Sequence, residues 1–179
     1  MKNKSFNNSF TIWFTGLTGS GKSTLAQMLY ETLLSRYLKV ELLDSDIIRK
    51  HISNELGFVK QDRETHLWRI AFICKLLSKH DVICIVAAVS PYRETREKIK
   101  RYLKKFVEVY VKCPIDVLIK RDVNGFYQKV LAGEIKNVAG FDCPYEEPLQ
   151  PDIIVETHKE TPKESLKKII TTLTSKGLI

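Results

Sequence analysis

Apolar residues along this chain follow two alternating rhythms. Short β-branched and aromatic runs read as strands: "FTIWFT" (10–15), "KVELLD" (39–44), "DVICIVAAV" (81–89), "FVEVYVKC" (106–113) and "PDIIVET" (151–157). Between and after them, residues 22–37, 46–56, 62–80, 91–105, 114–121 and 162–176 carry apolar positions at helical spacing. Asp46 stands where the 46–56 helix needs an N-cap, and Pro91 falls in the first turn of the 91–105 helix. The longest apolar run, "VICIVAAV" (82–89), is too short to cross a bilayer but suits a strand buried on both faces.

Strands alternating with helices predict an α/β fold: a mainly parallel sheet with helices on both faces, hence three layers. In such sheets ligands sit at the carboxyl ends of the strands. The Gly-rich stretch after residue 15, the segment Asp44 to Arg49 and the segment Ser90 to Arg93 each begin where a strand stops, so they are expected on one rim. The stretch from about 122 to 150 differs. It is polar, carries Gly125, Gly133, Gly140, Pro144 and Pro148, and lacks a strand core. It is expected to form a lid over the site. No repeat or low-complexity segment interrupts the pattern. The 179 residues are expected to form one domain, 1–179, with the lid at about 121–150.

Composition narrows the setting. Apolar content of 44% and charged content of 28% are those of an ordinary globular protein. The net charge of +8 fits a handler of polyanions, either nucleic acid or a phosphate-rich small molecule, although runs such as "REKIKRYLKK" (96–105) also read as a solvated helix face. The four cysteines form no CxxC pair and no zinc pattern, and two lie in apolar stretches, as core residues do. A reducing cytoplasm is the expected compartment. The N-terminal "MKNKSFNNSF" lacks the apolar core of a signal peptide, so no membrane association is expected.

The most specific signal is "GLTGSGKST" (16–24), which fits G-x-x-x-x-G-K-[ST] between a strand and a helix. In this phosphate-loop pattern, Gly16, Gly19, Ser20 and Gly21 let backbone N–H groups curl round nucleotide phosphates. Lys22 neutralises phosphate oxygens, and Ser23, beside Thr24, offers a hydroxyl to Mg²⁺. The motif implies a nucleoside triphosphate site and leaves the reaction open. No NKxD segment is present, which argues against a GTPase switch. The strand at 82–89 ends in Ser90 without a carboxylate. The carboxylates stand instead in "LLDSDIIR", where Asp44 and Asp46 are two residues apart, and either could serve the metal or position an acceptor oxygen. Arg49, Arg63, Arg69, Arg93, Arg96 and Arg121 cluster after strand ends and favour an anionic acceptor.

Taken together, these segments resemble the adenylylsulfate kinases, P-loop enzymes that use ATP to phosphorylate the 3′-hydroxyl of adenosine 5′-phosphosulfate. The likeness runs from about 10 to 157. "GLTGSGKST" is similar to the family's GLSGSGKST. "LLDSDIIRKHISNELGFVKQDRETHLWRI" follows DGDxxR, LGF and DRxENxRR, and "SPYRETR" matches SPYRxxR. "KCPIDVLIKRDVNGFYQKVLAGEIKNVAGFDCPYEEPLQPD" is similar to CPLxxCxxRDxKGLYxxAxxGxIxxFTGxDxPYExPxxPD.

The resemblance implies that residues 16–24 bind ATP phosphates, that Asp46 serves the acceptor hydroxyl and that Asp44 belongs to the metal shell. It also implies that Arg49, Phe58, Arg63 and Ser90 line the acceptor pocket, and that the segment from Arg121 to Lys136 closes on ATP. It suggests a homodimer and a small-molecule nucleotide acceptor rather than nucleic acid. Among the departures from the pattern are Ser45 for Gly, His66 for Asn, Trp68 for Arg and Val138 for Phe. His66 and Val138 fall in the acceptor pocket. The Phe at position 138 in the family completes an aromatic sandwich on adenine, and Phe141 is the nearest ring here to take its place. Adenosine 5′-phosphosulfate is therefore the expected acceptor. The same chemistry on another nucleoside 5′-conjugate is a first alternative, and a non-catalytic nucleotide-binding module a remote one.

Overall fold

A computed structural model describes residues 9–179. The reading of the N-terminal segment falls largely on residues 1–8, outside the described residues. Five parallel strands form one sheet: β1 (Thr11–Thr15), β2 (Val40–Asp44), β3 (Ile83–Ala87), β4 (Phe106–Lys112) and β5 (Ile153–Glu156), in the order β2-β3-β1-β4-β5. Among the described residues seven α-helices accompany them: α1 (Lys22–Ser35), α2 (Ser45–Ile52), α3 (Lys60–Ser78), α4 (Arg93–Leu103), α5 (Ile115–Arg121), α6 (Phe126–Leu131) and α7 (Pro162–Ser175).

The period-2 geometry of the strands explains the three layers. Ile12 and Phe14 of β1, with Ile85 of β3 and Val109 of β4, face Leu25, Leu29 and Leu33 of α1 and Ile169 and Leu173 of α7. Trp13, Cys84 and Val86 point to the opposite face, against Leu67, Ile70 and Cys74 of α3 and Ile99 of α4. Every residue of β1 and β3 is buried, as expected of strands covered on both sides.

Two local expectations are corrected, and a third gains detail. The N-cap of α2 is Asp44, not Asp46: its carboxylate accepts from the backbone N–H of Asp46 at 2.9 Å and of Ile47 at 3.4 Å, and the helix starts one residue earlier. Both aspartates satisfy a capping pattern on paper, and the end of β2 decides which side chain reaches back. Helix α4 begins at Arg93 with Tyr92 as its N-cap, so Pro91 precedes the helix instead of opening it. The 122–150 stretch, expected as a lid, carries a short helix of its own. A 3₁₀ turn at Val123–Gly125 leads into α6, whose first-turn amides at Tyr127 and Gln128 donate to the Asp122 carboxylate at 2.6 and 3.0 Å.

Among the described residues, no helix is long and apolar enough to cross a membrane. All four cysteines are free thiols, and Cys74, Cys84 and Cys113 are buried.

Candidate active site

The carboxyl ends of β1, β2 and β3 open onto one cleft of about 470 Å³. The phosphate loop, the start of α2, the first half of α3, the Ala87–Pro91 turn and the Ile135–Ala139 segment all line it. The three polar segments expected on one rim do meet there.

The loop is held from several sides. Gly16 has φ +152°, and a Cβ on it would lie 2.4 Å from the Val111 carbonyl oxygen, so the turn leaving β1 admits no side chain. Thr157 Oγ1 donates to the Ser20 carbonyl and Tyr127 OH to the Thr18 carbonyl, each at 2.8 Å. These two hydroxyl tethers escaped the sequence reading. Thr157 looked only like the end of a strand, and Tyr127 lay in the stretch read as a lid.

Lys22 is buried and its Nζ donates to the Leu17 carbonyl at 2.8 Å. Burial pushes its pKa down to about 8, against the opposing pull of Asp46 and Asp44. Ser23 Oγ donates to Asp44 Oδ2 at 2.7 Å, while the other Asp44 oxygen caps α2. The acid missing from the end of β3 is thus supplied by the neighbouring strand β2. Among the described residues no group of three or more His, Cys, Asp and Glu side chains converges as a metal cage. A hydroxyl and a carboxylate side by side at the phosphate loop fit Mg²⁺ nonetheless, because that ion takes few protein oxygens and fills its shell with water and phosphate.

Asp46 is exposed and lines the cleft from the first turn of α2, on the same helix as Arg49. Arg49 donates to the carbonyls of Leu56 and Gly57, and its guanidinium lies 4.7 Å from the centroid of the Phe58 ring. Arg63 lies 5.2 Å from the same ring and donates to the Phe58 carbonyl at 2.8 Å and the Asn137 carbonyl at 2.5 Å. Two cations therefore flank one aromatic ring at the mouth of the cleft. Burial, reinforced by Arg63, lowers the pKa of Arg49 below its ordinary value.

His66 is 1% exposed, and its Nε2 is 3.0 Å from Ser45 Oγ. Burial, aided by the charge of Arg49, brings its pKa down to about 4. Ser90 is buried with φ +48°. Its hydroxyl accepts from Trp13 Nε1 at 2.8 Å, and its carbonyl accepts from Arg96 at 2.6 Å.

The Ile135–Ala139 segment closes the cleft from above, with Lys136 and Val138 on its wall. It is folded tightly: the Asp142 carboxylate accepts from the backbone N–H groups of Asn137, at 2.7 Å, and Val138. Phe141 is 46% exposed and does not line the cleft, so it does not take the place of the missing ring.

Three of the six clustered arginines have other tasks. Arg96 is buried in an ion pair with Glu108 at 2.8 Å, Arg93 donates to the Glu147 carbonyl at 3.0 Å, and Arg69 pairs with Glu55 at 2.6 Å. They brace the structure, and the carbonyl and carboxylate partners that occupy them leave no visible trace in the spacing of the sequence. Arg121 donates to the Thr157 carbonyl at 2.8 Å and faces a neighbouring depression of about 370 Å³ on the other side of the loop. Thr18, Gly19 and Phe126 line that depression too. A wider, open groove of about 590 Å³ runs along α3 at Trp68 and Phe72 and includes no residue of the phosphate loop.

This arrangement has known counterparts. Residues 8–156 match the sequence profile of the adenylylsulphate kinases. The chain belongs to that family. Adenylyl-sulfate kinase from Synechococcus is 43% identical over 169 residues, covering 94% of this chain and 97% of the relative. A probable bifunctional SAT/APS kinase from Sorangium cellulosum is 46% identical, but the chain spans only 30% of its length. The APS kinase of Mycobacterium tuberculosis, solved in complex with AMPPNP and APS, superposes with a TM-score of 0.88 at 34% identity, over 93% of this chain and 98% of that one. The adenylylsulphate kinase fold is thus the P-loop α/β fold expected from the sequence.

Proposed function

We propose that this kinase transfers the γ-phosphoryl group of ATP to the 3′-hydroxyl of adenosine 5′-phosphosulfate, giving 3′-phosphoadenosine 5′-phosphosulfate and ADP. The observation that carries the reading is the cleft of about 470 Å³, in which Lys22 and Ser23 of the phosphate loop meet Asp46, Arg49 and Arg63. The APS kinase of Mycobacterium tuberculosis, solved with an ATP analogue and APS together, supports it.

In this reading, backbone N–H groups of residues 16–24 and Lys22 Nζ hold the donor phosphates, and Arg121 approaches from the neighbouring depression. Ser23 and Asp44 hold Mg²⁺, which when bound neutralises charge on the phosphate oxygens. Arg49 and Arg63 hold the acidic groups of the acceptor, Phe58 stacks on its base, and Ser90, His66, Lys136 and Val138 shape the rest of the pocket. Asp46 orients the 3′-hydroxyl and accepts its proton as that oxygen bonds to the γ-phosphorus and the bridging bond to ADP breaks. The lid segment excludes water.

Val138 in the cleft, with Phe141 outside it, favours a second acceptor as the rival reading: a nucleoside 5′-conjugate that needs less stacking. A coupled ADP-release assay with Mg-ATP decides between them. A kcat/KM for adenylylsulfate above ~10⁴ M⁻¹s⁻¹ is expected, within the range of ordinary enzymes. A feeble rate there beside a strong one on a pyrimidine conjugate or a phosphoramidate would overturn the assignment. No acceptor-dependent ADP release from any conjugate would leave only the non-catalytic nucleotide-binding module.

A further inference from the structure

Two of the positions at which this chain departs from the family's sequence pattern lie far apart in sequence and touch in space. The pattern has Gly where this chain has Ser45, and Asn where it has His66. The two residues are 21 positions apart and sit on different helices, yet Ser45 Oγ and His66 Nε2 are 3.0 Å apart. Both line the cleft. His66 Nδ1 is buried and has no hydrogen-bond partner.

Side-chain lengths explain why the two belong together. An Asn at position 66 ends level with imidazole Nδ1, one atom short of Nε2, and does not reach the Ser45 hydroxyl. A Gly at position 45 offers no hydroxyl, which strips a buried imidazole of its side-chain partner, an unfavourable state. The buried ring is neutral, so it has one donor and one acceptor nitrogen, and a hydroxyl complements either.

We propose that Ser45 and His66 form one positioning unit whose hydrogen bond ties the Asp44–Asp46 turn to α3 and so fixes where Asp46 meets the acceptor hydroxyl. The inference rests on the kinase reading above. Asp44 is already anchored on one side by Ser23 and by the amides of α2. Ser45 anchors the turn on the other side. Helix α3 also carries Arg63 one turn before His66, so the same bond sets the acid and an acceptor arginine on a common frame.

The test is a double-mutant cycle of Ser45→Gly and His66→Asn. It reads kcat, the KM values for ATP and adenylylsulfate, and urea unfolding midpoints, with kinetics run well below each variant's melting temperature. Each single change is expected to lower kcat about tenfold, because a carboxylate held less firmly meets the acceptor hydroxyl in fewer productive geometries. The KM for ATP should stay within about twofold, because the phosphate loop is untouched. The double variant should return to within about threefold of the parent. His66→Gln, whose amide reaches the level of Nε2, should lose less than His66→Asn. The urea midpoints should show the same non-additivity independently of the reaction. Losses that multiply in the double variant, or equal losses for Asn and Gln, would overturn the proposal. A parent that fails to turn over adenylylsulfate would overturn the kinase reading instead, and the urea cycle would still judge the pair.

Discussion

Asp44 serves three partners at once, and Asp46, two residues on, serves none of them. Asp44 caps α2 through the amides of Asp46 and Ile47 and accepts the Ser23 hydroxyl, whereas the Asp46 carboxylate reaches the cleft from the exposed first turn. Charge balance follows the same division, since both carboxylates act on the buried Lys22 ammonium. Asp46→Asn should therefore lower kcat by ~10²–10⁴, the usual contribution of a positioned acid–base group, and change ATP affinity less than about threefold. Lys22→Ala should abolish measurable transfer. Steady-state rates and calorimetric ATP titrations check both, and a large loss of ATP affinity in Asp46→Asn would move that residue into the metal shell. Residue roles of this kind were half legible. The loop motif and the acidic pair stood in the sequence, but their division of labour depends on which oxygen reaches which amide. The arginines misled for the same reason: Arg96 binds a Ser90 carbonyl and a Glu108 carboxylate whose proximity only the fold creates.

Among the elements, α4 and the end of the lid are locked by that buried arginine. Arg96 pairs with Glu108 on β4, and its remaining nitrogens donate to the carbonyls of Ser90 and Glu146 at 2.6 Å each. Glu108 is itself buried, and burial raises its pKa even beside Arg96. Arg96→Ala would strand that carboxylate, with an expected loss of ~3–5 kcal/mol on urea unfolding. Arg96→Met with Glu108→Leu should recover much of it. If the single variant unfolds like the parent, the ion pair is not a structural lock. The main elements were legible because apolar runs and helical spacing alternate along the chain, with the fully buried β1 and β3 standing out as runs. Helix α6 was not, because its six residues are too few to establish a period, although Tyr127 and Val130 are buried. The lid it begins also presses on the phosphate loop. A Cβ at Gly140, where φ is +84°, would come within 2.6 Å of Leu17.

At the scale of the whole molecule, the buried His66 links the site to stability. Its pKa near 4 in the folded protein lies below the ordinary 6.5 of an unfolded histidine. The unfolded chain therefore binds more protons between these values, and stability is lost as pH falls from about 6.5 toward 4. Urea midpoints across that window should fall less steeply in His66→Gln than in the parent. Parallel slopes would mean that His66 is not the titrating group.

The central place of β1 has a consequence for how the molecule is made. Its first partners are distant: Thr15 and Val89, joined through a side-chain hydrogen bond, are 74 residues apart in the chain. At a synthesis rate of about 5–20 residues per second, this means roughly 4–15 s between the emergence of β1 and that of the strand beside it. During that interval "TIWFT", fully buried in the finished protein, has no sheet to join. The phosphate loop that follows it has no rim to stand on. A nascent chain of this topology is born with its active-site motif first and its active site last, and a strand that ends fully buried waits exposed for its neighbours.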